Sequence, residues 1–280
     1  MTTYYVYDVF STEAFGGNPL AVIPDATHLP EDDLQRIARE FNFSETTFVF
    51  APENAAHTAR VRIFTPTMEI PFAGHPTIGT AVALSDQGTL PEMVLELGIG
   101  PIPCHAANGQ ARFTTEAPLE RLAEPTLAEV AAALSLSETD IKTDVHPPQM
   151  ASLGLPFTIT ELTSRAALSR IVTDIAAFRR GRDNYPSALD FAQFAYVREG
   201  DLIHARMFAP LDNIPEDPAT GSACATLGAL LADIHQKDQA LTIHQGQDMG
   251  RLSVISLTTQ GSAVTISGTA KRVMEGRLVY

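Results

Sequence analysis

The residues of this chain best suited to moving protons are a carboxylate at a helix–strand junction, a histidine next to a glycine, and an acidic turn that runs into a helix. Asn42-Phe43-Ser44-Glu45-Thr46-Thr47 places Glu45 where hydroxyl and amide groups can orient it as a general acid/base. The plainer reading of a lone Glu there is an exposed turn residue. His75 follows Gly74 and precedes Pro76 at an expected helix start, so it can hydrogen-bond a ligand that approaches the bare glycine backbone, or simply cap local groups. Glu216-Asp217-Pro218-Ala219-Thr220-Gly221-Ser222 combines carboxylates, a rigid turn, hydroxyls and a glycine just before another helix. Asp217 is the candidate second titratable group there, with a helix cap as the alternative that involves no chemistry. Gln245-Gly246-Gln247-Asp248-Met249-Gly250-Arg251 offers a Gly-rich turn whose guanidinium can bind a carboxylate or pair with an internal acid.

Other chemistries lose support. The sequence has no GxGxxG, Walker loop, HExxH or GxSxG, so nucleotide, zinc and ordinary serine-hydrolase readings fall away and Ser222 is expected to bind rather than attack. Cys104 and Cys224 are too few and too far apart for a disulfide framework or a CxxC metal or redox site. No metal and no organic cofactor is expected. The formal charge of −14, with no Lys/Arg cluster, argues against nucleic acid and anionic membranes as partners. A small carboxylate remains possible, because backbone N–H groups at a helix start act locally whatever the net charge. With neither a signal-peptide pattern nor a long apolar run, a cytoplasmic location is expected.

The elements that must position these residues are visible as alternating patterns. Tyr4 to Phe10, Leu20 to Ile23, Thr46 to Ala51 and Ala59 to Phe64 have strand character, and Gly16-Gly17-Asn18-Pro19 marks a turn. From Pro30 to Phe41, acidic residues fill a first turn and Leu34, Ile37, Ala38 and Phe41 recur at helical spacing. His75 to Leu84 is a small-residue segment suited to a tightly packed helix. Strands are expected at 93–97 and 110–114, a linker at 118–125, and a helix over 125–134. Further strands follow at 157–162, 191–197 and 203–208, then a helix from about 220 to 233. The halves also match in register: Arg62-Ile63-Phe64-Thr65-Pro66 with Arg206-Met207-Phe208-Ala209-Pro210, and Ile70-Pro71 with Ile214-Pro215, all at an offset of 144 residues. A glycine then opens a small-residue helix in each half, Gly74 and Gly221. Such a duplication predicts two similar domains, a class of protein that often binds its ligand in the cleft between them.

Taken together, Phe43-Ser44-Glu45-Thr46-Thr47, Arg62 to Pro66, Phe72-Ala73-Gly74-His75-Pro76-Thr77, Glu216 to Ser222 and Gln245-Gly246 with Gly250-Arg251 resemble the phenazine-biosynthesis PhzF-like family. Asp8-Val9-Phe10 with Gly16 to Pro19 also looks like it. The resemblance implies an α+β, diaminopimelate epimerase-like fold of two pseudo-symmetric domains, each a β-barrel-like sheet around a central helix. The expected boundaries are residues 1–118 with about 268–280, and residues 119–267. It further implies a homodimer and a cofactor-independent isomerase acting on a small cyclic or unsaturated amino or hydroxy carboxylate. Glu45 takes a proton from one carbon and returns it to another, with His75 and Asp217 as the family's histidine and second acid. Gly74, Gly221 and Ser222 supply donors to the substrate carboxylate, while Gln245 and Arg251 belong to the binding loop. Related epimerases use a Cys at each helix start, but Ala73 and Asp217 stand here, which excludes that mechanism. Burial is expected to raise the pKa of Glu45 toward neutrality. A two-base epimerase using Glu45 and Asp217, and a catalytically silent binding protein, are the alternatives.

Overall fold

Parallel strands cannot be joined by a tight turn, so every parallel pair in this fold has a crossover behind it. A computed structural model describes residues Met1 to Tyr280, and their contacts divide into two units, Met1–Thr115 with Thr265–Tyr280, and Glu116–Val264.

The first unit contains β1 (Thr2–Val9), β2 (Asn18–Ile23), α1 (Glu31–Phe41), β3 (Glu45–Phe50), β4 (Ala59–Phe64), β5 (Glu69–Ile70), α2 (Gly74–Asp86), β6 (Glu92–Leu97), β7 (Gly100–Ala107) and β8 (Gln110–Thr115). The pairing runs β1–β2 antiparallel, β2–β3 parallel, β3–β4 antiparallel, β4–β6 parallel, then β6–β7–β8 antiparallel. The last strand of the chain, which spans Ala263–Leu278, pairs with both β8 and β1 and so closes an eight-stranded barrel. Helix α2 contacts β1, β2, β3, β7 and β8 and is buried from Gly74 through Leu84. It fits because its side chains are small: a Cβ on Gly79 would come within 2.5 Å of Leu20 and 2.7 Å of Val9. Helix α1 is amphipathic instead, with Glu31, Asp32 and Asp33 at its positive end and Asn42 (φ 53°) closing it. Its Leu34, Ile37 and Ala38 pack on Ile23, Phe48 and Phe64.

The second unit contains β9 (Glu120–Ala123), α3 (Leu127–Leu134), β10 (Gln149–Ser152), β11 (Pro156–Glu161), α4 (Arg165–Ser169), α5 (Ile175–Asn184), β12 (Gln193–Glu199), β13 (Leu202–Ala209), β14 (Ile214–Asp217), α6 (Gly221–His235), β15 (Ala240–Gln245) and β16 (Ser253–Gln260); the closing strand Ala263–Leu278 is β17. From β10 to β16 the pairing is antiparallel, parallel, antiparallel, parallel, antiparallel, the same series as from β1 to β7. Helix α6 matches α2, and Gly228 packs against Leu257 as Gly79 does against Leu20. The duplication seen in sequence is thus a duplication of topology. Helices α3, α4 and α5 cover a second core built on Val130, Leu134, Phe178, Phe191 and Phe208.

One expectation fails. The segment 118–125, taken as a linker, carries β9, which pairs antiparallel with β10. Its residues Glu120-Arg121-Leu122-Ala123 are largely exposed and show no alternation, so only the ladder with β10 defines them as a strand.

Candidate active site

The candidate residues form two clusters, one in each unit. In the first, the parallel ladder of β2 with β3, in the register Leu20 to Glu45, brings the starts of both strands together. Ser44 Oγ donates to Asn18 Oδ1 at 3.0 Å, and Asn18 Nδ2 lies 3.4 Å from His75 Nδ1. The same imidazole nitrogen is 3.4 Å from Glu45 Oε2. Glu45 opens β3 and is not an exposed turn residue, since its side chain is only 12% exposed. His75 is 3% exposed, and burial pushes its pKa down to about 3, so the ring is neutral at working pH. Its Nδ1 faces the Nδ2–H of Asn18 as an acceptor, so the 3.4 Å approach to Glu45 is a polar contact and neither an ion pair nor a hydrogen bond. The Nε2 of His75 is buried and has no partner.

Helix α2 begins on His75's own turn. Ala73 provides no side-chain cap and the first turn holds no acidic residue, so the positive end of the helix is left to a ligand or to Glu45.

In the second cluster β14 ends on Asp217 and α6 starts at Gly221, with Thr220 between them. Thr220 Oγ1 donates to Asp217 Oδ2 at 2.6 Å. Gln245, at the end of β15, straps this turn: its Nε2 donates to the Asp217 carbonyl at 2.8 Å and to Thr220 Oγ1 at 2.9 Å, while its Oε1 accepts from Thr220 N at 3.1 Å. Gln245 is fully buried, and this geometry makes it a brace for the Asp217 turn. Gly246 has φ +72°, and a Cβ there would meet Arg251 O at 2.5 Å and Pro218 O at 2.7 Å, so only glycine lets the loop close on the Asp217 turn. Arg251 ends that loop, its backbone N–H donating to Gly246 O at 3.0 Å. Ser222 is half-buried on the first turn of α6, which also lacks a side-chain cap and an acidic residue.

Two further groups are settled by their surroundings. Glu216, the other acid of this motif, takes both Nε and Nη2 of Arg206 at 2.8 Å and belongs to the framework. Burial, and then the nearby Asp217, push the Cys224 thiol far up, so it stays protonated and inert. Sequence reasoning passed over Asn18, which bridges Ser44 and His75, because Gly16-Gly17-Asn18-Pro19 has the composition of an ordinary turn. It likewise saw Thr220 only as a possible cap. A buried polar side chain, at a strand start for Asn18 and just before a helix for Thr220, is the signal that finds both, and burial appears only in three dimensions.

Over residues 7–276 the chain matches the family described as phenazine biosynthesis-like protein, PhzC-PhzF. It is 36% identical over 290 residues to a trans-2,3-dihydro-3-hydroxyanthranilate isomerase of Pseudomonas aeruginosa, covering 99% of each chain. It is 37% identical over 295 residues to an uncharacterized isomerase of Mesorhizobium japonicum, covering 98% of each. Its backbone follows that of a PhzF-family phenazine biosynthesis protein from Bacillus anthracis with a TM-score of 0.87 at 24% identity, over 100% of this chain and 99% of that one, a likeness of fold. With the family's pattern matched along almost the whole chain, this protein belongs to the PhzC-PhzF family of phenazine biosynthesis-like proteins and is an isomerase.

Proposed function

We propose that the chain shifts one proton on a small cyclic or unsaturated amino or hydroxy carboxylate, with Glu45 as the acid/base and no group needed beyond its own side chains. The observation that carries this reading is the Glu45 carboxyl, almost enclosed and held 3.4 Å from a neutral, buried imidazole at an uncapped helix start. As carboxylate, Glu45 takes the proton of an acidic C–H. The electron pair left on carbon delocalises through the adjoining double bond toward the substrate carboxylate, and Glu45 then returns the proton at the far end of the conjugated system. Atoms and charge balance, and no electron leaves the substrate. Each unit offers its own donors for substrate oxygens, Gly74 on α2, and Gly221 and Ser222 on α6, with Arg251 as a further cation. His75 positions Glu45, and Asp217, braced by Thr220 and Gln245, is the second titratable group. The dihydro-hydroxyanthranilate named for the Pseudomonas aeruginosa relative is a substrate of this class.

The test is deuterium incorporation from D2O into a panel of cyclic and unsaturated carboxylates, followed by NMR beside a Glu45→Gln control. Exchange with double-bond migration that vanishes in the control supports the proposal. Exchange at a stereocentre without migration shows a two-base epimerase, and binding with no exchange shows a silent binding protein.

A further inference from the structure

Outside both clusters, three basic side chains from three elements of the second unit gather without an acid to bind them all. His204 on β13 and His244 on β15 are opposite each other in the parallel ladder, their rings meeting edge to face at 5.5 Å. Arg165 is the first residue of α4, which packs on β12 and β13. Burial first, and then the charge of Arg165, hold both imidazoles below their ordinary range. The acid that faces His204 is Glu199 on β12, which is 55% exposed and 3.7 Å from its Nε2.

Two polar atoms here are buried and unsatisfied, Nδ1 of His204, a residue only 6% exposed, and Nε of Arg165. Such atoms cost stability unless something meets them, and native proteins keep few of them. We propose that Arg165, His204 and His244 form a binding site for a small tetrahedral oxyanion of the sulfate and phosphate-ester class. The two imidazoles stand side by side on one face of the sheet and the guanidinium comes from a helix packed on β13, so an anion with several oxygens can meet all three. Arg165 Nη2 gives one of its two N–H groups to Gln247 Oε1 at 2.8 Å, which anchors the guanidinium and leaves its buried, unpartnered Nε–H for the anion. The bound anion favours protonated rings, so affinity rises as pH falls, and by reciprocity the anion raises both imidazole pKa values.

The full-length chain, with its histidine ring resonances assigned from His204→Gln and His244→Gln, is titrated with sulfate at constant ionic strength. Saturable shifts of both rings are expected, with binding tightening as pH falls from 8 to 5, by up to about tenfold for each ring whose pKa rises by about one unit. Arg165→Gln should abolish the shifts while circular dichroism stays native. Should that variant fail to fold, the loss of sulfate binding in His244→Gln takes its place. Rings that do not respond, shifts that persist in the variants, or acetate binding as tightly as sulfate would overturn the proposal.

Discussion

At the scale of single residues, the proposed reaction turns on Glu45, and the His75 beside it sets a pH limit on stability. Replacing Glu45 by Gln keeps shape and hydrogen bonding but removes the proton carrier, so steady-state kinetics should show kcat falling about 10²- to 10⁴-fold with KM little changed. His75 makes a separate claim on stability. Its folded pKa of about 3 lies below the ordinary value of 6.5. Between those values the unfolded chain binds a proton that the folded chain refuses. Stability is therefore unaffected by this group above the upper value and is lost as pH falls through the window, by up to about 1.4 kcal/mol per pH unit. Urea melts at pH 7, 6 and 5 should show this slope in the parent and a shallower one in His75→Gln. Glu45 and His75 were both legible in the sequence by type and by neighbours. Their partner Asn18 was not, because nothing local distinguishes a turn Asn from one buried against an imidazole.

At the scale of elements, the repeated Arg-x-Phe-x-Pro segment does the same mechanical job twice with different partners. Arg62 lies 5.1 Å above the Phe64 ring and binds Glu69 and Glu31, while Arg206 lies 4.8 Å above Phe208 and binds Glu216. Their surroundings differ. Arg206 and Glu216 are 10% and 16% exposed, and Arg206 Nη1 also reaches the carbonyls of Leu168, Ser169 and Ile171 at the end of α4. Arg62 pairs with acids that are 71% and 42% exposed. Thermal or urea unfolding should accordingly charge Arg206→Leu about 3–5 kcal/mol, for stranding a shielded carboxylate, and Arg62→Leu only about 1 kcal/mol. The loop that braces Asp217 is a second element-scale device. Gly246→Ala forces a side chain against Pro218 O and Arg251 O at φ +72°, with an expected loss of about 1–3 kcal/mol. A comparison of kcat should show it falling with the displaced Asp217 turn, which a purely global destabilisation would leave intact below the melting range.

At the scale of the whole molecule, the first unit is completed by the last residues of the chain. β17 pairs with β1 from Thr2 opposite Leu278 to Val9 opposite Ala270, and its Thr265 hydrogen-bonds Thr114 on β8 at 2.8 Å. Ending the chain after Val264 would leave both β1 and β8 as open edges, so that variant should aggregate or lose the first unit's protection in hydrogen exchange. The sequence alone determined the mixed order of strands and helices and the duplication, because these rest on local periodicity, glycine and proline placement, and a repeat in fixed register, while the α+β class followed from the family resemblance of its motifs. It also determined the helix starts, where Gly74 and Gly221 head small-residue segments that no exposed helix requires. Tertiary structure alone decided that Glu120 to Ala123 is a strand, that Gln245 braces Asp217, that Glu216 is bound to Arg206, and that His75 is held neutral. Each of these depends on burial, or on a partner distant in sequence, such as the 28 residues from Asp217 to Gln245. Spacing along the chain encodes which face a residue takes, but desolvation and hydrogen-bond partners exist only once distant segments have met.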